Sequence, residues 1–588
     1  MNQRIQLASI DDQRNAEARE AVRQRISWPA NLTPANVTYH SRGHVILIGA
    51  SDTTEAAARA LQGSGLASLT LLAEDSRESA APLPEQASPD VASPVASSDV
   101  MPQGHAQPIV RHALSTAQRS ALRISGHLGA FDVRIDDSGN LLNLARAFID
   151  RDHFDVVLDL SATPVMTTEL PPPGYVLLDW TDVDRRRDAV DSVAELVGEF
   201  DKPRYFQVNS DLCAHSSSGN TGCTRCLDVC PADAISSHQG RIESRIEIDP
   251  YLCQGVGSCT SACPTGAIEF RLPDTRRQQD TLSTWLAAYR EAGGQAPVLR
   301  FITHDSLDAE QVAGVTPAGH VLDIPLEELG AAGHDQWLTA LASGAAEVRI
   351  QEHPGMPARL SAFLADQVGQ AQTLLTALGH DPARVQLLAV GDAQARDALP
   401  MLTPLTDQPL ALNEPNKRAR LNIVLARLAE LGAPSGQRHA MPQGAAYGSI
   451  QVDSDACTLC HACVSSCPTP ALSSGGKVPS LNFREADCVQ CGLCEQACPE
   501  NAITLMPGFL AAEARETRQV CHEEAPFECI GCGKPFATAS TVANIKAKLA
   551  DHPYFAGDAM LRLEMCEDCR VKDVWKTMIR DPDAQLRI

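Results

Sequence analysis

The arrangement of its cysteines constrains this chain of 588 residues more than any other feature of the sequence. The 20 cysteines fall into separate groups, with none before Cys213 and none between Cys263 and Cys457. The N-terminal sequence lacks a signal-peptide or twin-arginine pattern, and no run of about 18 apolar residues could span a bilayer. We therefore expect a cytoplasmic protein without a transmembrane segment. Thiols stay reduced in that compartment, so the cysteines should bind metal rather than form disulfides.

The second group of cysteines contains two copies of one motif, Cys-x2-Cys-x2-Cys-x3-Cys-Pro, related by an offset of 31 residues. This is the spacing of a bacterial ferredoxin with two clusters, in which the fourth cysteine of each motif ligates the other cluster. Zinc sites instead use pairs of Cys-x2-Cys. The crossing rule predicts site 1, formed by Cys457, Cys460, Cys463 and Cys498, and site 2, formed by Cys467, Cys488, Cys491 and Cys494.

The first group repeats this motif with two alterations. Val256 stands where one copy should have its second cysteine, and a seven-residue insertion at 214–220 displaces the first cysteine of the other copy. Because valine has no lone pair, one site should hold a [3Fe-4S] cluster, a [4Fe-4S] cluster with one iron bound by an exogenous ligand, or no cluster. The crossing rule assigns Cys213, Cys223, Cys226 and Cys263 to site 3, and Cys230, Cys253 and Cys259 to this incomplete site 4.

The last group of cysteines forms two Cys-x2-Cys pairs with one residue left over. These pairs can close a tetrahedral site of four sulfurs, for which zinc is the leading candidate. A fifth iron–sulfur cluster and reduced surface thiols are the alternatives, and Cys521 is expected to be free. This tail site comprises Cys529, Cys532, Cys566 and Cys569.

Three histidines lie close to the cysteine motifs of the two larger groups. They are His215, His238 and His461. Histidine can ligate iron in some clusters, but the motifs already supply thiolates at the expected spacing. We therefore expect each of these histidines to be a solvated loop residue rather than a ligand.

Outside the cysteine motifs, alternating apolar and helical stretches predict an α/β chain with several domains. VILIGA at 45–50, TEAAARALQ and LTLLA at 69–73 form a βαβ-like pattern. The turn after the first strand lacks G-x-G-x-x-G, so the sequence supports a dinucleotide site only weakly. Further strand candidates are VLRFIT, GHVLDI, AEVRI and VQLLAV.

The predicted fold class is α/β and α+β multidomain, with two ferredoxin-like dicluster domains flanking an α/β segment. A stretch rich in serine, proline and alanine should be a disordered linker. The predicted boundaries are 1–75 for the N-terminal βαβ-like segment, 76–110 for the linker, 111–200 for an α/β segment, 201–275 and 448–508 for the ferredoxin-like domains, 290–440 for the cysteine-free α/β segment, and 515–588 for a zinc-ribbon-like tail.

The two larger cysteine groups resemble bacterial 2[4Fe-4S] ferredoxin domains. The whole chain is similar to large multi-cluster ferredoxin-like proteins of proteobacteria found alongside formate dehydrogenase components. The stretches that carry this wider resemblance are VVLDLSATP, PPPGY, HSSSGNTGCTRCLDVCP, LCQGVGSC, CIGCGKPF and MCEDCR. The resemblance implies a cysteine at the position of Val256, from which this chain departs. The segment 297–393 is similar to the delta-subunit domain of methyl-viologen-reducing hydrogenase, without the cysteines of its cluster, so only a fold is implied.

Charge and composition narrow the possible functions. A net charge of −24 and an aromatic content of 4% disfavour binding to nucleic acid or anionic membranes. The leading hypothesis is single-electron transfer to or from a dehydrogenase, with formate dehydrogenase implied by the resemblance, and no catalytic residue is predicted. The alternatives are an assembly factor with structural or sensory clusters, and an oxidoreductase that binds a nucleotide on its N-terminal segment.

Overall fold

The computed structural model describes residues 12–29, 36–74, 107–137, 140–215, 221–240, 244–271, 274–476, 478–555 and 557–580. Nearly all of the predicted linker 76–110 lies outside the described residues, as do positions 216–220 of the insertion. Within the described ranges, no helix is both long enough and apolar enough to cross a membrane.

The first part of the chain folds into short helices and strands around a parallel sheet. Its elements are α1 (Asp12–Arg25), β1 (Asn36–Ser41), β2 (His44–Ala50), α2 (Ser51–Ala60), β3 (Ser68–Glu74), β4 (Ile109–Leu114), α3 (Thr116–Ala121), β5 (Leu122–Ser125), β6 (Asp132–Asp137), β7 (Asn140–Asn143), α4 (Leu144–Ile149), β8 (Val156–Asp159), β9 (Tyr175–Leu177), α5 (Val183–Glu195) and β10 (Gly198–Pro203). We call residues 36–203 the N-terminal unit.

The sheet of the N-terminal unit has the strand order β4-β3-β2-β8-β9, and all of its neighbours are parallel. The central strand β2 pairs through Val45 with Leu69 on one side and Val156 on the other. These three side chains are fully or almost fully buried, as is usual for parallel strands covered on both faces. The segments 1–75 and 111–200, which lie on either side of the predicted linker, therefore contribute strands to one sheet.

The first ferredoxin-like region, residues 206–270, consists of short paired strands and two short helices. Strand β11 pairs with β14 and β12 pairs with β13, both antiparallel. The cysteines lie in the two segments that join these pairs, between β11 and β12 and between β13 and β14. The elements are β11 (Phe206–Val208), α6 (Arg225–Asp228), β12 (Ile235–Gln239), β13 (Ser244–Ile248), α7 (Ser258–Ala262) and β14 (Ile268–Phe270).

The central unit, residues 275–439, is a parallel sheet with the strand order β16-β15-β17-β18, flanked by helices. Each of the stretches VLRFIT, GHVLDI, AEVRI and VQLLAV lies in or overlaps one of these strands. The elements are α8 (Thr275–Glu291), β15 (Val298–Thr303), α9 (His304–Val312), β16 (Val321–Leu326), α10 (His334–Ala342), β17 (Glu347–Gln351), α11 (Ala358–Ala377), β18 (Val385–Leu388), α12 (Ala393–Asp397), α13 (Lys417–Leu431) and β19 (Arg438–His439).

The second ferredoxin-like region, residues 448–510, repeats the pattern of the first, and a small tail follows it. Strand β20 pairs with β23, and β21 pairs with β22, which also pairs with β25. The elements are β20 (Gly448–Val452), α14 (Ala462–Ser466), β21 (Leu472–Ser474), β22 (Ser480–Phe483), α15 (Leu493–Gln496), β23 (Ile503–Pro507), β24 (Phe509–Leu510), β25 (Gln519–Glu523), β26 (Pro526–Glu528), β27 (Pro535–Thr538), α16 (Ala539–Lys548), α17 (Asp558–Leu561) and α18 (Glu567–Arg580).

Helix α1 packs on the central unit and not on the sheet that follows it in sequence. Its buried residues Ala18 and Val22 belong to the apolar core of the central unit. The guanidinium of Arg19 donates hydrogen bonds to the carbonyl oxygens of Ala318 (2.8 Å) and Val321 (3.0 Å). The predicted N-terminal segment 1–75 is thus divided between two units of the structure.

The first turn of helix α13 contacts both ferredoxin-like regions. Lys417 Nζ donates to the carbonyl oxygen of Ser261 at 3.0 Å, at the carboxyl end of α7 in the first region. The next residue, Arg418, donates to the carbonyl oxygens of Ala486 (2.9 Å) and Cys488 (2.7 Å) in the second region. Because carbonyl groups at a helix end attract cations, these contacts hold the two regions against one helix.

We expect Arg418→Ala to lower the free energy of unfolding of the second ferredoxin-like region by about 3 kcal/mol. The substitution leaves the buried carbonyl oxygen of Cys488 without this donor, and a buried unpaired acceptor is costly. It also removes one of two donors to the carbonyl oxygen of Ala486, which still accepts from Asn422 Nδ2 at 3.1 Å. Urea denaturation followed by the visible absorbance of the iron–sulfur chromophore measures the loss. Arg427→Ala, on the outer face of the same helix, is the control, and equal losses in the two variants would contradict the assignment.

Candidate metal centres

Sites 1 and 2 occupy two separate cavities of the second ferredoxin-like region. Each cavity brings together three cysteines of one motif and the fourth cysteine of the other. Apolar side chains complete both walls, with Ile503 beside site 1 and Leu472 beside site 2. The cavity of site 1 is lined by Cys457, Cys460, Cys463 and Cys498, and that of site 2 by Cys467, Cys488, Cys491 and Cys494.

The loops of these sites turn their backbone N–H groups toward the sulfurs. Leu459, His461 and Gln490 have left-handed backbone conformations, with φ between 51° and 59°. Alternation of right- and left-handed residues directs successive N–H groups into one concavity, which suits an anion. A residue outside these loops adds a further donor to a sulfur of site 1: the N–H of Ala502 donates to Cys498 Sγ at 3.2 Å.

These cavities fit a cubane cluster held by thiolates. Burial raises the pKa of Cys463 to about 12 and that of Cys491 to about 11, so without metal both thiols remain protonated near neutral pH. Binding of iron would release these protons, which couples cluster insertion to pH. When bound, a [4Fe-4S] cluster supplies reversible uptake of a single electron.

Site 3 gathers its four cysteines in the first ferredoxin-like region. The thiol of Cys226 is buried and interacts with those of Cys263, Cys223 and Cys213, and burial and these neighbours together raise its pKa. The two ends of the insertion lie close together, because the N–H of Cys223 donates to the carbonyl oxygen of Ala214 at 3.3 Å. The displaced first cysteine therefore reaches the same site as the other three.

The expectation that the three nearby histidines are solvated is wrong for His215. Its side chain is fully buried, with one ring nitrogen 3.0 Å from the carbonyl oxygen of Cys223 and the other 2.7 Å from Ser237 Oγ. His215 lies two residues after Cys213, and these two contacts hold its ring against the cysteine loop. His238 is exposed, and His461 is half-buried along the wall of site 1.

Site 4 brings Cys230, Cys253 and Cys259 together, whereas Val256, at the second position of its motif, packs against the central unit. The thiol of Cys259 is desolvated and interacts with the other two, which raises its pKa. Val256 is only 8% exposed and belongs to the apolar core of the central unit, together with Leu329. The residue at the motif position that lacks a cysteine therefore joins the first ferredoxin-like region to the central unit.

Two neighbouring units hold the loops of site 4 through hydrogen bonds that the sequence pattern did not reveal. Lys202 Nζ of the N-terminal unit donates to the carbonyl oxygen of Cys253 at 2.8 Å, and burial lowers the pKa of this lysine to about 8. Arg359 of the central unit donates to the carbonyl oxygen of Cys230 at 2.7 Å. Backbone carbonyls have no sequence signature, so spacing alone could not identify these contacts.

The four sulfurs of the tail site lie within 4.8 Å of one another. Cys529 accepts hydrogen bonds from the N–H groups of Cys566 (3.2 Å) and Gly531 (3.4 Å). Although burial alone would raise the pKa of Cys529, backbone donors including these lower it to about 6. A low thiol pKa favours the thiolate that a metal ion requires, and the close tetrad suits a single ion.

The tail differs from the predicted zinc ribbon in its second cysteine pair. The first pair lies between β26 and β27, with Gly533 at a φ of 72° in the turn. The second pair stands at the start of helix α18, where the positive end of the helix dipole also favours thiolates. The amphipathic sequence after Cys569 forms this helix instead of a second hairpin. Cys521 is not part of this tetrad. It is half-buried on β25 near Cys457 of site 1, and burial, together with Cys457, raises its pKa to about 11.

Comparison with known proteins adds two kinds of match. Residues 221–267 and 456–503 each match a family model described as a 4Fe-4S dicluster domain. The chain is 32% identical over 87 residues to the indolepyruvate oxidoreductase subunit IorA of Pyrococcus horikoshii, covering 15% of this chain and 12% of that subunit. It is 37% identical over 68 residues to Escherichia coli YsaA, which is named as an electron transport protein, covering 12% of this chain and 40% of YsaA.

We expect Val256→Cys to add about one iron per chain, because it restores the missing cysteine of the motif, and ligation of iron would draw this side chain from its contact with the central unit to site 4. The wild-type protein should show the signal of an oxidised three-iron cluster in electron paramagnetic resonance (EPR), and the variant should lose it. Iron analysis and EPR of air-oxidised samples measure both effects. Val256→Ala removes the same side chain without adding a thiol and should keep the signal. A wild-type protein with about sixteen irons and no such signal would refute a three-iron cluster.

We expect about one zinc per chain, and its loss in Cys569→Ser, because a serine hydroxyl is a poor replacement for a thiolate on zinc. Loss of the ion should unfold the tail, which has little apolar core of its own. Metal analysis and limited proteolysis of residues 526–580 report the two effects. Cys521→Ser is the control and should retain the ion. Iron in place of zinc at this position would show that the tail binds a cluster.

Proposed function

Because the chain contains two 4Fe-4S dicluster domains, we propose that it is an iron–sulfur electron-transfer protein with about four clusters. It passes single electrons to or from a dehydrogenase. The observation that carries the proposal is the crossing of cysteines in the second dicluster domain, where each cavity is lined by three cysteines of one motif and one of the other.

Each group of residues has a distinct part in this proposal. The cysteines of sites 1 to 3 would hold [4Fe-4S] clusters, and those of site 4 a three-iron or incompletely ligated four-iron cluster. Donors to the sulfurs, such as Gln490 Nε2 at 3.4 Å from Cys488 Sγ, stabilise negative charge and so favour the reduced form. The tail site would hold zinc and order the end of the described chain.

The identity of the redox partner is a separate part of the proposal. Formate dehydrogenase is suggested by the resemblance drawn from the sequence, and the names of the two relatives support a redox role in general terms. The net charge of −24 suits docking on a basic surface of a redox partner. Such docking should slow as salt concentration rises, because salt screens charges on the two surfaces.

A role as an accessory factor for such an enzyme is the alternative, and one feature of the tail favours it. Helix α18 exposes Val571, Trp575 and Ile579, which stand four residues apart along one face. An apolar stripe of this kind suits binding to another protein. In that role the clusters would be structural or sensory.

The proposal predicts that formate and formate dehydrogenase together reduce the purified protein under anaerobic conditions. The visible absorbance should bleach at a rate comparable with enzyme turnover, and this rate should fall with added salt. Omission of formate is the control, and dithionite defines full reduction. Clusters that dithionite reduces but the enzyme leaves oxidised would rule out this partner. Activation of metal-free formate dehydrogenase by the protein would instead support the accessory role.

A further inference from the structure

The side chain of Arg225 connects the two dicluster domains at their ligand loops. Arg225 begins helix α6, two residues after Cys223 of site 3. Its Nη1 lies 3.3 Å from Cys223 Sγ, and its Nη2 donates to the carbonyl oxygen of Gln490 at 3.2 Å, inside the loop of site 2. It also donates from Nε to the carbonyl oxygen of Gly444 (2.6 Å) and from Nη2 to that of Ala445 (3.3 Å).

Further contacts surround this arginine on both sides of the domain boundary. Gln496 Nε2, at the end of α15, donates to the carbonyl oxygen of Thr221 at 3.1 Å. Gly222 is packed so closely that a Cβ atom added there would lie 3.1 Å from Leu493 Cγ. The loop 221–225 of the first domain therefore lies directly against α15 of the second.

The contact between loop 221–225 and α15 determines the spatial order of the four sites. The thiols of Cys491 and Cys223 interact across the domain boundary, so sites 2 and 3 are neighbours. Within each domain, the exchange of the fourth cysteine already places the two sites side by side. The sites thus follow one another in the order 1, 2, 3, 4.

We propose that Arg225 is a positioning residue that joins sites 2 and 3 into one continuous electron path and favours the reduced state of the cluster at site 3. The inference rests on the proposed function, because it assumes clusters at both sites. One-electron reduction adds negative charge to the cluster and its sulfurs. A guanidinium is always charged and can donate to several acceptors in a fixed geometry, so Arg225 can stabilise that charge while binding the neighbouring domain.

A merely structural role would leave the reduction potential unchanged, and this distinguishes the two explanations. Arg225→Ala removes the charge and every hydrogen bond of the side chain. Arg225→Lys keeps a charge without the planar fork, and Arg225→Gln keeps a donor without the charge. Arg245→Ala removes an exposed arginine of the same domain, which forms an ion pair with Glu247, and is the matched control.

The experiment is an anaerobic redox titration of the full chain followed by EPR, combined with amide hydrogen exchange. The titration step missing from Cys226→Ser identifies site 3. That step should move to lower potential in Arg225→Ala and Arg225→Gln, less in Arg225→Lys, and not in Arg245→Ala. Exchange in residues 221–227 and 488–496 should rise at least about fivefold in Arg225→Ala.

Iron content separates failure of this inference from failure of the proposed function. A wild-type protein without iron at sites 2 and 3 would overturn the electron-transfer proposal itself. Iron at both sites, with the potential of site 3 and the exchange rates unchanged in Arg225→Ala, would overturn only the role of Arg225. If Arg225→Ala loses iron, Arg225→Gln decides, since an unchanged potential in that variant rejects the inference and a lowered potential supports it.

Discussion

The exchange of the fourth cysteine between paired motifs is the constraint on which the rest of the structure depends. Neither cavity of the second dicluster domain has four sulfurs unless both halves of the domain are folded against each other. A cluster in such a cavity acts as a cross-link between two segments distant in sequence, and its binding energy becomes folding energy. This explains how domains with such short strands and small apolar clusters can be ordered.

Cations that donate to backbone carbonyls recur at four contacts between a cysteine loop and another unit. Lys202, Arg359, Arg418 and Arg225 reach the carbonyl oxygens of Cys253, Cys230, Cys488 and Gln490, respectively. Each contact gives a loop carbonyl a cationic donor, and each brings positive charge near a site that would bind an anionic cluster. An acidic chain thus places some of its cations where the ligand loops meet other units.

The sequence predicts which cysteines line each cavity of the second dicluster domain, and it predicts several strands, because those signals are local. Cysteine spacing describes a loop, and runs such as VLRFIT and LTLLA describe buried strands. Other features depend on contacts between distant segments and leave no such signal. These include the packing of α1 on the central unit, the sheet shared across the linker, and the burial of His215. The sequence after Cys569 is amphipathic, and this local pattern is sufficient to predict the helix that the structure shows there.

The packing of Val256 gives site 4 a property that the other sites lack. At sites 1 and 2, every cysteine of the two motifs lines a cavity, so the connection that a cluster would make between the two halves of the domain would depend on iron. At site 4, one of those positions instead contacts the apolar core of the central unit, and that contact requires no metal. The first dicluster domain is therefore anchored to the central unit, at the loop that carries Cys253 and Cys259, by an apolar contact that does not depend on metal.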